Sequence, residues 1–93
     1  MMIGTFRHKG LRQLFEDDLA KGVNPDHARK LKQVLSVMQA AQQIEALNLP
    51  TFRLHALTGD LKGFWSIAVR ANWRVIFRFE DGRALEIDPV DYH

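Results

Sequence analysis

The chain contains no cysteine. Disulfides and thiolate metal centres are therefore excluded as supports for its fold. No apolar run approaches the roughly 20 residues that a membrane-spanning helix needs, and no signal-peptide pattern opens the chain. The expectation is a soluble, unsecreted, cytoplasmic protein without membrane association. Neither the six glycines nor the three prolines gather into a run, so linkers and low-complexity segments are absent. Net charge is also scarce, at +2, which permits an anionic partner without demanding one. There is no P-loop, G-x-S-x-G, H-E-x-x-H or glycine-rich dinucleotide signature. The four histidines stand at 8, 27, 55 and 93 with no His-x-x-x-His spacing, so neither a metal nor a cofactor is expected.

What is present fits one domain. The length of 93 residues with 46% hydrophobic content suits a single small globular unit spanning 1–93. Met2–Arg7 alternates mildly and reads as an edge strand. Leu11, Leu14, Phe15 and Leu19 fall at helical spacing, which predicts an amphipathic helix over Lys9–Ala20 ended by Gly22. Asn24-Pro25 is a helix start, and a stripe of Ala28, Leu31, Val34, Leu35, Met38 and Ala41 carries a second helix to about Leu47. Strands are expected at Thr51–Leu57, Phe64–Val69, Trp73–Phe79 and Ala84–Val90, with Asp81-Gly82 as a tight hairpin turn. The order β-α-α-β-β-β-β indicates an α+β fold, with two helices covering one face of a twisted, mostly antiparallel sheet. The other face stays uncovered.

The stretch Phe64–Phe79 mixes core residues with cations. Strand alternation puts Trp73, Val75, Phe77 and Phe79 on the core side and sends Arg74 and Arg78 to the opposite face. Arg70 sits at the turn between the two strands. Such cations are either a solvated sheet face or a phosphate site, since arginine holds phosphate bidentately. Arg53 and Lys62 carry the same two readings. His8 and His27 read as surface or capping residues. His55, within a strand, and His93, at the chain end, are candidates for proton transfer, because imidazole titrates near neutral pH. With Arg74, Asp91 and Tyr92 they make up what RNA cleavage without metal requires: a base, a cation for the phosphorane-like state, an acid and a stacking ring. From the residues alone the reading stops at an anion or RNA binder.

Three segments, FRHKGLRQLFE, RLHALTGDLKGFWSIAVRANWRVIFRF and the terminal VDYH, resemble the HigB toxins of the RelE superfamily. These are toxin halves of bacterial type II toxin–antitoxin pairs. The resemblance spans essentially the whole chain and implies a small α+β domain. It also implies a ribosome-dependent endoribonuclease that cuts translated mRNA in the A site without metal. It implies as partners the ribosome and mRNA, a HigA-type helix-turn-helix antitoxin, and operator DNA reached only through that antitoxin. The family's site residues map onto His55, Arg74, Asp91, Tyr92 and His93, with base and acid roles open between His55 and His93. Arg53, Lys62, Arg70 and Arg78 are the expected RNA or ribosome contacts. Some relatives carry lysine where this chain has Thr58, leaving Lys62 or Arg53 to compensate. A RelE-like module that only binds protein, and a general basic RNA binder, stand as alternatives. The resemblance predicts that the reading frame directly downstream encodes a small helix-turn-helix protein, which sequencing of the locus checks.

Overall fold

In a computed structural model that describes residues 2–91, helix α1 covers Lys9–Asp17 and α2 covers Pro25–Ala40. Strands β1 (His55–Ala56), β2 (Phe64–Arg70), β3 (Trp73–Glu80) and β4 (Arg83–Asp91) follow. They form one antiparallel sheet in the order β1-β2-β3-β4. Leu31, Val34, Leu35 and Met38 on α2 and Leu11 and Leu14 on α1 share a core with Ile67, Val75, Phe77 and Ile87 of the sheet. The expected inward side of β3 is thus the core side, with Val75 and Phe77 buried and Trp73 and Phe79 partly so. The α+β expectation holds: two helices cover one face of the antiparallel sheet.

Each departure from the expected boundaries has a local cause. The edge strand at Met2–Arg7 is an arm making two isolated parallel bridges, Ile3 to Ala84 and Phe6 to Ile87. A bulge in β4, where Glu86 has φ 55, interrupts the ladder there. Helix α1 stops at Asp17 because Asp18 takes the left-handed conformation, φ 53, that closes a helix end. Leu19 is consequently exposed. Helix α2 ends at Ala40, where Ala41 is extended, and a separate 3-10 turn at Ile44–Leu47 returns Leu47 to the core. The strand expected over Thr51–Leu57 shrinks to two residues because Arg53 has φ 49, which breaks the alternation. Leu57 is buried and Ala56 exposed, the reverse of the expected pattern. Asp81 (φ 52) and Gly82 (φ 76) make the hairpin turn between β3 and β4 as expected.

Two histidines take up structural duties. His8 caps α1, its Nδ1 accepting from the Leu11 amide at 3.0 Å, in line with a capping role. His27 is buried rather than at the surface and packs its ring 5.2 Å from that of Trp73. Contact with the sheet supplies this burial, which helical spacing alone does not show.

Near the start of α1 the helix touches the loop that precedes α2. A Cβ on Gly10 would run into the backbone carbonyl of Gly22, and a Cβ on Gly22 would stand 2.6 Å from the Gly10 Cα. Backbone cannot swing aside as a side chain can. Gly10→Ala is therefore expected to cost about 1–3 kcal/mol through overpacking, although alanine is the better helix former by about 1 kcal/mol. A urea midpoint at or above wild type would refute this contact.

Candidate functional site

The uncovered face is set by register. His55 lies opposite Ser66, Ser66 opposite Ile76, and Ile76 opposite Asp88. The adjacent row on the same face is Ala68, Arg74 and Val90. His55 and Arg74 therefore share a face, two strands and one row apart. At sheet spacings this is about 12 Å between Cα atoms, a span that a phosphate and an extended arginine side chain can fill.

A depression of about 340 Å³ opens where the β2–β3 hairpin meets the chain leading into β1. Thr51, Arg53, Ala68, Val69, Arg70, Ala71 and Arg74 line it. Two backbone features shape it. Arg53 and Ala71 both hold left-handed backbone, with φ 49 and 51, and β2 bulges between Ala68 and Arg70. For non-glycine residues such conformations cost roughly 1–3 kcal/mol each. Sequence spacing does not reveal that Arg53 and Arg70 meet Arg74 around one hollow; the fold creates that cluster. Three guanidiniums line this open, partly polar hollow, a donor set that suits a polyanion.

The other cations stand apart. Arg78 pairs with Phe64 at the opposite end of β2 from Arg70, about 20 Å along the strand. Its guanidinium is held between Glu80 and Glu86, each at 3.3 Å. Lys62 caps the 3-10 turn Gly59–Leu61 just before β2, toward that same far end. Both are at the other end of the face from the three-arginine hollow.

Asp91 ends β4 opposite Trp73, next to the Val90 that pairs with Arg74. Tyr92 and His93 lie outside the described residues. The structure thus brings Arg53, Arg70 and Arg74 together, sets His55 on the same face, and ends the described part of β4 beside them. It also adds Thr51 and Ser66, which sequence reading passed over. Ser66 is buried, with a hydroxyl that has no hydrogen-bond partner among the described residues. Its only sequence signal is a small polar residue between Trp65 and Ile67. Among the described residues no group of three or more His, Asp or Glu side chains has metal-binding geometry.

Comparison with known proteins accords with this arrangement. Residues 4–93 match a family model described as the RelE-like toxin of the type II toxin–antitoxin system HigB. The chain is 42% identical to the "Endoribonuclease HigB" of Proteus vulgaris, covering 99% of this chain and all of that one. It is 37% identical to "Toxin HigB-1" of Vibrio cholerae, covering 94% and 96% of the two chains. Among solved structures, a chain of the YoeB–YefM complex from Staphylococcus aureus superimposes with a TM-score of 0.57 at 12% identity. The match covers 100% of this chain and 99% of that one. At that identity the match speaks for the fold alone. The sheet with one covered face, the whole-length family match and the two full-length relatives lead to one conclusion: this chain belongs to the HigB-like toxins of type II toxin–antitoxin systems.

Proposed function

We propose that this chain is the toxin of its pair and acts as a ribosome-dependent endoribonuclease on mRNA in the ribosomal A site, in the cytoplasm. The observation that carries this reading is the hollow lined by Arg53, Arg70 and Arg74 at the hairpin end of the sheet, with His55 on the same sheet face as Arg74. The name of the Proteus vulgaris relative supports ribonuclease chemistry.

The reaction needs no group beyond the chain and its substrate. The ribose 2′-oxygen attacks phosphorus as a base removes its proton. The bond to the 5′-oxygen breaks as an acid protonates that oxygen. The products are a 2′,3′-cyclic phosphate and a 5′-hydroxyl. Arg74 holds the scissile phosphate and stabilises charge as it grows on the phosphoryl oxygens. His55 and His93 share the base and acid roles. Asp91 orients a neighbouring histidine, and Tyr92 stacks on a base. Arg53 and Arg70 hold the flanking backbone, while Lys62 and Arg78 meet phosphates of mRNA or ribosome farther along the face. A HigA-type helix-turn-helix antitoxin neutralises the toxin and carries the pair to operator DNA.

Induced wild-type protein should produce new 5′ ends inside translated mRNAs, and purified protein should cut mRNA on programmed ribosomes in the presence of EDTA. Arg74→Ala, through lost charge stabilisation, and His55→Ala, through lost proton transfer, should each lower cleavage at least about a hundredfold. Full activity in either variant would remove that residue from the site. The cation assignments are separable by salt titration. Arg53→Ala and Arg70→Ala should each flatten the salt dependence of binding to a single-stranded oligoribonucleotide by about 0.7 in the log–log slope. Arg78→Ala should change it less, because Glu80 and Glu86 already balance that charge. Equal slopes for Arg53→Ala, Arg70→Ala and wild type would mean that the hollow does not hold RNA.

A further inference from the structure

Ser66 is sealed from solvent, and its Oγ has no hydrogen-bond partner among the described residues. Leaving a buried hydroxyl unpaired costs roughly 1–3 kcal/mol, and an alanine in its place would avoid the cost. The residue sits on the uncovered face, in the row His55, Ser66, Ile76, Asp88 and one row from Arg74. The first candidates for a partner are its cross-strand neighbours on that face. Ile76, its neighbour on β3, has no polar side-chain atom. Asp88 lies two strands further on, about 10 Å away at sheet spacing. His55, directly opposite on β1, is exposed and has two ring nitrogens.

We propose that Ser66 is a positioning residue for His55. When RNA engages the face, the His55 ring folds down onto the sheet and one ring N–H donates to Ser66 Oγ, turning the other nitrogen toward the ribose-phosphate. This holds for either proton-transfer role. A neutral imidazole that accepts a proton at one nitrogen carries a hydrogen on the other, and an imidazolium that gives a proton carries one on both. In each case the nitrogen turned away from substrate is a donor in need of an acceptor, and Ser66 supplies one from a rigid strand. In the free protein the His55 ring is exposed, and the hydroxyl has no partner among the described residues.

The inference rests on the assignment of His55 to catalysis, and the experiment separates the two. Cleavage of mRNA on programmed ribosomes is measured under single turnover with wild type, Ser66→Ala, Ser66→Thr, His55→Ala and the double variant Ser66→Ala/His55→Ala. Ser66→Ala should lower the saturating rate about tenfold, the equivalent of one lost hydrogen bond. The half-saturating concentration should stay unchanged, and thermal stability should be equal or higher. Ser66→Thr, which keeps the hydroxyl, should restore most of the rate. In the His55→Ala background, Ser66→Ala should have no further effect. A wild-type rate for Ser66→Ala, or an undiminished loss in the His55→Ala background, overturns the positioning role while leaving His55 in the site. A wild-type rate for His55→Ala overturns the assignment beneath it. A lower melting temperature in Ser66→Ala with no change in rate would make the hydroxyl a packing group only and likewise overturns the proposal.

Discussion

The structure depends on burying one face of the β2–β3 hairpin beneath the helices. Ile67, Val75 and Phe77 are fully enclosed, against Leu31, Val34 and Met38 among others. Because strand side chains alternate, burying the odd positions obliges Ser66, Arg74, Ile76 and Arg78 to share the other face. A shift of one residue would drive Arg74 and Arg78 into the apolar core, where an unpaired charge costs far more than any loop strain. The same alternation that makes the core therefore fixes the cationic surface, and with it the setting for chemistry.

Strain gathers beside the hollow. Of the five non-glycine residues with positive φ among the described residues, Arg53 and Ala71 line it, and Asp18, Asp81 and Glu86 lie at a helix end, a hairpin turn and a strand bulge. Ala71 turns β2 into β3 as Asp81 turns β3 into β4, while Arg53 bends the chain entering β1; both Arg53 and Ala71 border the hollow. The Ser66 hydroxyl, without a partner among the described residues, belongs with them: a buried polar group on the sheet face that carries His55 and Arg74.

Electrostatics then distinguishes cations that sequence treats alike. Arg74 and Arg78 are four residues apart on one strand face. Arg78 is flanked by Glu80 on its own strand and Glu86 on the bulge of β4. Those exposed pairs contribute little stability, but they lower the positive potential at that end. At the hairpin end, Arg53, Arg70 and Arg74 line the depression, with no carboxylate among the described lining residues. The face is thus polarised from one end to the other.

Much of this was readable from residue order. The apolar stripes located both helices, the alternation in β3 assigned its core face, and Asp81-Gly82 marked its turn, because each is a local pattern with a fixed period. Helix ends were less legible: Asp18 and Ala41 stop their helices through backbone states that neighbouring residues do not dictate. The burial of His27 against Trp73 and the convergence of Arg53 with Arg70 and Arg74 were not legible at all. Sequence by itself determined which side chains face apart, since that follows from bond geometry within a strand. Tertiary structure decided which of them meet, since that follows from strand pairing between positions distant in the chain and from the left-handed turn at Arg53 that steers its segment back along β2.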